Sequence, residues 1–406
     1  MLQNYKIYGL KPLFKSLLKM DDWNRLKNVD ILFVDHDGHR SYTFDNKAYA
    51  PLIDSLQEVY LKKGYSCLTI ASPFSQLAGN KAFGEVIDFN GSFVRAGISR
   101  ILQNLLSKET YFGTRCIKEV WDQILLVTNP RRVIAIQPDA ALCLACRNRG
   151  IDVADLLHGV ISDEHPWYGE SYRKGCKTEV LPTTFMCWDK AAVAVLEKWT
   201  IKNKILIETI SHPWLQRFID NNEKDKLVSD AIARYSWLSR LPRKKKILVT
   251  LGWGCTDEFM NGQFLSFPLS LVNVILENSD EYIWLIKPHP IQLHGVEQKP
   301  LENFLLKNFG QRTNVFWEEV STTPLPLLLL STDLHLTIAS TVTIEAAMFG
   351  IPTGLIAPVP RPVSHLKSYY ESELRSGIAQ WVSNSDQDIH LYISNTGRDV
   401  VKAPAP

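Results

Sequence analysis

The chain has 406 residues, a length that suggests two domains of ordinary size. Its composition is that of a globular protein, and a formal net charge of +2 supplies no field for a polyanion, which excludes nucleic acid as the expected partner. Seven cysteines are scattered along it; only Cys143 and Cys146 have CxxC spacing, on a helical pattern with no second pair, so no metal site is expected and the thiols read as reduced.

No apolar run reaches membrane-spanning length and no signal-peptide pattern is visible, so a cytoplasmic protein is expected. Residues 5–20 carry Lys6, Lys11, Lys15 and Lys19 without an acid, with Phe14, Leu17 and Leu18 at helical spacing. That pattern suits a surface helix on a domain edge, or a peripheral contact with the inner face of the inner membrane. The first strand spans 29–34 and runs into Asp35-His36-Asp37-Gly38-His39-Arg40. Polar groups crowded at a strand's carboxyl end are placed where open α/β sheets bind ligands. Asp37 is a candidate base there, and Asp35 a candidate to hold an acceptor hydroxyl.

Helices over 51–63, 93–106, 114–128 and 139–149 alternate with strands over 65–70, 132–136 and 152–157, the pattern of a mostly parallel sheet. The last of these strands ends in His158-Gly159, and Gly159 lets the backbone turn away and leaves His158 at the tip. Asp163, Glu164 and His165 follow as acid/base or acceptor-holding candidates, with Trp167 and Tyr168 able to stack on a sugar face. His212 reads as structural or cleft-lining. A polarity shift near Asn221 marks the boundary, giving domains over 1–222 and 244–385, a linker over 223–243 and a tail over 386–406, whose last residues read as disordered.

The second domain opens with a strand over 247–251 that ends in Gly252-Trp253-Gly254, where bare backbone N–H groups suit a phosphate. The apolar run 283–286 stops at Lys287-Pro288-His289-Pro290. Each proline keeps the residue before it extended, so a cation and an imidazole stand at the sheet edge. A strand over 333–338 then meets Ser340-Thr341-Val342-Thr343 at the start of a helix, whose free N–H groups favour an anion. Glu345 lies one helical turn beyond Thr341.

The HP pair and the hydroxyl cluster together resemble the nucleotide-binding half of GT-B glycosyltransferases of bacterial surface-polysaccharide assembly: capsule and Kdo transferases, sialyltransferases and CDP-glycerol glycerophosphotransferases. The resemblance implies an α/β fold of two Rossmann-like domains facing across a cleft. It implies a nucleotide-sugar donor held by Gly252, Gly254, Lys287, His289, Ser340, Thr341, Thr343 and Glu345. It further implies a saccharide or lipid-linked acceptor, with Asp35, His165 and Tyr168 on the acceptor side. His158, Asp37, Asp163 and Glu164 are the catalytic candidates, with no metal and no cofactor beyond the donor. The expected donor is CMP-linked Kdo or sialic acid, because one phosphate and one carboxylate match the two motifs. The alternatives are a CDP-glycerol-type transferase, a UDP-sugar 2-epimerase and a non-catalytic partner subunit.

Overall fold

The computed structural model describes residues 20–73, 75–106, 112–159, 161–163, 167–220, 224–252, 267–293, 296–357 and 369–397. The basic stretch 5–19, Gly254, Glu164, His165 and the last residues of the tail lie outside them. The chain forms two compact units, residues 1–159 with 165–216, and residues 160–164 with 217–406.

In the first unit the strands and helices alternate as β1 (Ile31–Asp35), the hairpin β2 (Tyr42–Phe44) and β3 (Lys47–Tyr49), α1 (Pro51–Lys62), β4 (Cys67–Ala71), α2 (Asn90–Leu106), α3 (Phe112–Thr128), β5 (Arg132–Ala135), α4 (Ala140–Asn148), β6 (Asp152–Leu156), α5 (Glu170–Gly175), β7 (Thr184–Cys187), α6 (Lys190–Thr200) and β8 (Leu206–Thr209). The boundary between units falls inside α7 (Pro213–Ile219). Six strands form one parallel sheet in the order β4-β1-β5-β6-β7-β8. Every residue of β1 is buried, as a sheet covered on both faces requires. Leu32, Val34, Val133 and Ala135 point to one core, with Phe93, Trp121 and Leu142 from α2, α3 and α4. Ile31, Phe33 and Ile134 point to the other, with Ile53 and Leu56 of α1. The β2–β3 turn, absent from the sequence reading, uses Asp45 and Asn46 at φ 51° and 59°, the left-handed pair a two-residue hairpin demands.

The second unit runs α8 (Lys226–Arg234), β9 (Lys246–Thr250), α9 (Leu269–Glu277), β10 (Ile283–Lys287), α10 (Gln298–Phe309), β11 (Val315–Phe316), α11 (Glu318–Thr322), α12 (Leu325–Leu330), β12 (Leu334–Thr337), α13 (Val342–Met348), β13 (Thr353–Ala357), α14 (Glu371–Ser376), β14 (Ala379–Ser383) and α15 (Asp386–Asn395). Its six strands are also parallel, ordered β11-β10-β9-β12-β13-β14. Trp284, Ile286, Val249 and Leu336 pack beneath Leu271, Phe309 and Ile389.

Two expectations about boundaries change. The predicted linker 223–243 contains α8, because Leu227, Val228 and Ala231 form a buried stripe and Asp225 caps the helix at the N–H groups of Leu227 (3.1 Å) and Val228 (3.4 Å). The predicted tail beyond 386 contains α15, capped by Ser385, whose Ile389, Tyr392 and Ile393 join the second unit's core. Gly354 makes room for it: a Cβ there would lie 2.6 Å from the Tyr392 ring. No described helix is long and apolar enough to cross a membrane.

Each sheet starts near its middle and reverses direction once. The reversal falls between β1 and β5 in the first unit and between β9 and β12 in the second. Such switch points open at the carboxyl ends of the strands, where ligands of α/β sheets bind.

Candidate active site

At the first unit's switch point the strand tips carry buried charge. Asp35 ends β1 and is 2% exposed. Its carboxylate lies 2.8 Å from Arg40 Nη2 and 3.3 Å from His39 Nδ1. None of these atoms completes a hydrogen bond. Arg40 also reaches Asp54 (3.1 Å) and the Ala48 carbonyl (2.9 Å). Asp54 in turn accepts from the Ala50 N–H at the start of α1 (2.7 Å). Burial pushes the Asp54 carboxyl up to about 7 in spite of Arg40.

Asp155 lies two strands away, level with Ala135 and Val34 in the sheet register. It is fully buried, and burial pushes it up to about 6 although it accepts hydrogen bonds from the Tyr168 hydroxyl and the Gln137 N–H (2.9 Å). Both partners adopt left-handed backbone, with φ 64° at Tyr168 and 51° at Gln137. Strain in two residues that grip one carboxylate is the kind of cost that binding sites retain.

Imidazoles stand over these tips. The His39 ring is 5.8 Å from that of His158 and 6.1 Å from that of His36. His158 is exposed just beyond β6, and the strand tip beneath it is held by Leu157, whose N–H donates to the Met186 carbonyl (3.1 Å) and whose carbonyl accepts from Trp188 Nε1 (2.5 Å). His36 accepts from the Gly38 N–H at Nδ1 (2.9 Å), and burial lowers its basicity.

Several candidates sit differently from the sequence expectation. Asp37 accepts the backbone N–H groups of Gln76 (2.5 Å) and Leu77 (3.1 Å), so its carboxylate anchors a loop and is not set up as a base. Tyr168 is 3% exposed with its hydroxyl on Asp155, so it supports the site from inside and offers no sugar platform; Trp167 beside it is 46% exposed. Asp35 orients neighbours and does not face an acceptor. Asp163 is half-buried and groups with the second unit. His212 is structural: its Nδ1 accepts the Leu215 N–H (3.2 Å), its ring lies edge-on to Trp188, and burial drops its basicity to about 3. The sequence reading passed over His39 and Asp155, although a lone aspartate in the apolar run Val153–Leu157 was a signal for the second.

The second unit's tips hold mostly neutral groups. Thr250 and Lys287 are level in the register, as are Thr250 and Thr337. Gly252, His289 and Ser340 therefore leave the same edge on adjacent strands, His289 and Ser340 two strand spacings or about 10 Å apart. His289 is half-buried, its N–H donates to Gln292 Oε1 (2.9 Å), and burial lowers its basicity, which leaves a neutral ring near pH 7. Ser340 Oγ accepts from the Val342 N–H (3.3 Å), and its carbonyl accepts from the Tyr370 hydroxyl (3.1 Å). Thr341 is exposed. Glu345 keeps some surface, but burial pushes its carboxyl up to about 7.

Beneath them His335, fully buried, bridges Thr250 Oγ1 (2.8 Å) and Thr353 Oγ1 (3.0 Å), while Thr337 Oγ1 donates to the Thr250 carbonyl (2.8 Å). Lys287 and Thr343 depart from the expectation that they meet a donor. The Lys287 ammonium donates to the carbonyls of Val320 (3.0 Å), Ser321 (3.3 Å) and Thr323 (3.0 Å), the loose C-terminal carbonyls of α11. Burial lowers it to about 8. The Thr343 hydroxyl is buried without a partner. A groove of about 480 Å³ flanks the outer strand β14 and α15; Asp388 is the acidic residue in its lining, and Ser385 already holds that carboxylate. Among the described residues no three His, Cys, Asp or Glu side chains are arranged to hold a metal ion.

No protein-family model and no curated protein matches the chain. Solved structures do. The UDP-GlcNAc 2-epimerase of Methanocaldococcus jannaschii overlays 90% of this chain and 92% of its own at TM-score 0.57 and 16% identity. The Neisseria meningitidis UDP-GlcNAc 2-epimerase bound to UDP-GlcNAc overlays 90% of each chain at 0.54 and 14%. The wall teichoic acid polymerase TagF, as a histidine variant soaked with CDPG, overlays 97% of this chain and 86% of its own at 0.55 and 13%. At these identities the likeness is one of fold: two parallel-sheet Rossmann-like units, as in proteins of the GT-B fold.

Proposed function

We propose that the protein is a metal-independent enzyme acting on a nucleotide-activated sugar, and that it is a UDP-sugar 2-epimerase. The observation that carries this reading is the overlay of nine-tenths of the chain, both units included, on epimerases of that kind. Inversion at C2 removes a proton from one face and returns one to the other. Meanwhile the C1–O bond breaks with its electron pair on the phosphate, and then re-forms. The chemistry needs a phosphate cradle and acid/base groups. In this reading the second unit's edge supplies the cradle: backbone N–H groups after β9, His289, and Ser340 with Thr341. Fixed donors of that sort stabilise charge as it moves onto a leaving phosphate. Glu345, whose carboxyl burial raises to about 7, suits a ribose hydroxyl. The imidazoles His36, His39 and His158 of the first unit are this chain's candidate acid/base groups.

A second reading, transfer of a polyol phosphate from CDP-glycerol, is favoured by His158-Gly159 at the β6 tip and by the 97% overlay with TagF. Transfer of Kdo or sialic acid from a CMP-sugar gains no support from the structural neighbours, and the buried Thr343 hydroxyl weakens the two-anion argument for it. The test is incubation with UDP-GlcNAc alone in D₂O. Deuterium at C2 and a second epimer are expected. CMP release from CDP-glycerol in the presence of a polyol-phosphate acceptor, without deuterium exchange, would replace the first reading by the second. Inertness toward both would overturn the assignment.

A further inference from the structure

We propose that His39, backed by the buried carboxylate of Asp35, is the proton-accepting group of the first unit. The proposal rests on the epimerase reading and names the residue that begins its chemistry.

Three imidazoles share this edge, and their surroundings separate them. His36 spends Nδ1 as an acceptor for the Gly38 N–H, so its remaining nitrogen carries the proton and cannot accept another. His39 has the opposite arrangement. Its Nδ1 is buried 3.3 Å from Asp35 Oδ1, and a carboxylate so close to Nδ1 favours the tautomer that carries its proton there. His39 keeps 29% of its side-chain surface while Nδ1 is buried, which leaves Nε2 as the nitrogen for a substrate. The ring of His158 lies 5.8 Å from that of His39, at a spacing that suits a second proton carrier.

Asp35 is built for orientation. Its side chain has no exposed surface, and Arg40, itself fixed by Asp54 and the Ala48 carbonyl, holds the other oxygen at 2.8 Å. That clamp keeps Asp35 in place while it faces His39. Base plus buried orienting acid is the constellation that activates proton transfer in enzymes generally. Asp155 adds a second buried carboxyl near His39 without touching it. In the step itself Nε2 takes the C2 proton of the sugar. The C–H electron pair forms the C1–C2 double bond, and the C1–O pair departs with the nucleotide. The proton returned to the opposite face comes from a second group, and His39 passes its own to solvent.

The experiment uses the full chain with UDP-GlcNAc as the probe. In His39→Gln, deuterium uptake at C2 is expected to fall about 100-fold or more, with UDP affinity within threefold of wild type. Asp35→Asn is expected to lower uptake at least tenfold through kcat and not KM. Nitrogen-15 NMR of the histidines is expected to show His39 as the Nδ1–H tautomer in wild type, and that signal is expected to be lost in Asp35→Asn. Free imidazole is expected to restore part of the exchange to His39→Gly. Uptake above half of wild type in His39→Gln, or an Nε2–H tautomer for His39 in wild type, would overturn the proposal. A wild type that exchanges no deuterium would overturn the epimerase reading on which it rests, and the tautomer measurement would still decide whether Asp35 orients His39.

Discussion

At the strand tips of the first sheet the buried polar groups are ionisable and matched in pairs: Arg40 between Asp35 and Asp54, Asp155 beneath Tyr168. At the tips of the second sheet the buried network is neutral, with His335 between two threonines and a third threonine on a strand carbonyl. Both sheets are parallel and reverse once, so topology does not account for the contrast. What differs is where charge comes from. An edge that must accept a phosphate gains by being uncharged and rich in N–H and hydroxyl donors. An edge that must move protons needs its own carboxylates, held so tightly that they cannot pair with the wrong group.

The contrast breaks most severely at Arg40. Arg40→Ala leaves two buried carboxylates facing each other without a cation, a loss expected to cost about 3–5 kcal/mol of stability. The pH dependence follows from Asp54. Its folded value, about 7, lies above the ordinary aspartate value of 3.8, so the stability it lends is complete near pH 4 and is lost as pH rises through 7. Without Arg40 that loss deepens, and the deficit of the variant should be smaller at pH 5 than at pH 8. Urea denaturation at the two pH values measures it; an equal deficit at both would show that Arg40 acts through packing alone.

Lys287 sharpens the contrast on the other side. It is a buried cation on the edge assigned to phosphate, yet all three of its protons go to carbonyls of α11 and the residue after it. Lys287→Met should therefore cost about 1.5–3 kcal/mol of stability, the scale of charged hydrogen bonds lost with their acceptors left buried. UDP affinity should change less than threefold. A phosphate ligand would behave the other way round, with affinity falling and the denaturation midpoint unmoved.

The fold was legible where its periodicity was strong. Ile31–Asp35 and Ile283–Lys287 are apolar runs of four residues that end in a charged one, and runs of that kind are how parallel strands declare themselves. β14 was not legible, because an edge strand reading Ala-Gln-Trp-Val-Ser is only half apolar. α8 and α15 were hidden by charge, since the burial that makes them helices depends on two or three residues each. Site residues followed a similar division. Polar clusters at strand ends could be located, because Gly and Pro mark where strands stop. What each side chain faces could not. Asp37 and His39 lie two residues apart on one short turn, yet the first binds backbone N–H groups and the second a buried carboxylate. Lys287 was read as pointing outward along its strand, but the loose carbonyls of α11, about thirty residues later, claimed it.

Glu345 gives the smallest and most discriminating expectation. Its charge state is set near physiological pH: burial raises it from 4.5 to about 7. The sign runs as for Asp54. The folded protein keeps a proton that the unfolded chain releases between those two values, so stability is complete below about 4.5 and falls as pH rises through 7. Glu345→Gln keeps the shape and removes the titration. It should stabilise the protein by about 1–2 kcal/mol at pH 8, a shift of this size being discounted for the surface the residue retains. At pH 5 the gain should nearly vanish. If Glu345 also meets a ribose hydroxyl, UDP should bind the variant several-fold more weakly at both pH values, measured by titration calorimetry. A gain in stability with unchanged affinity would remove Glu345 from the nucleotide site and leave it as a buried acid that the second sheet tolerates because it can go neutral.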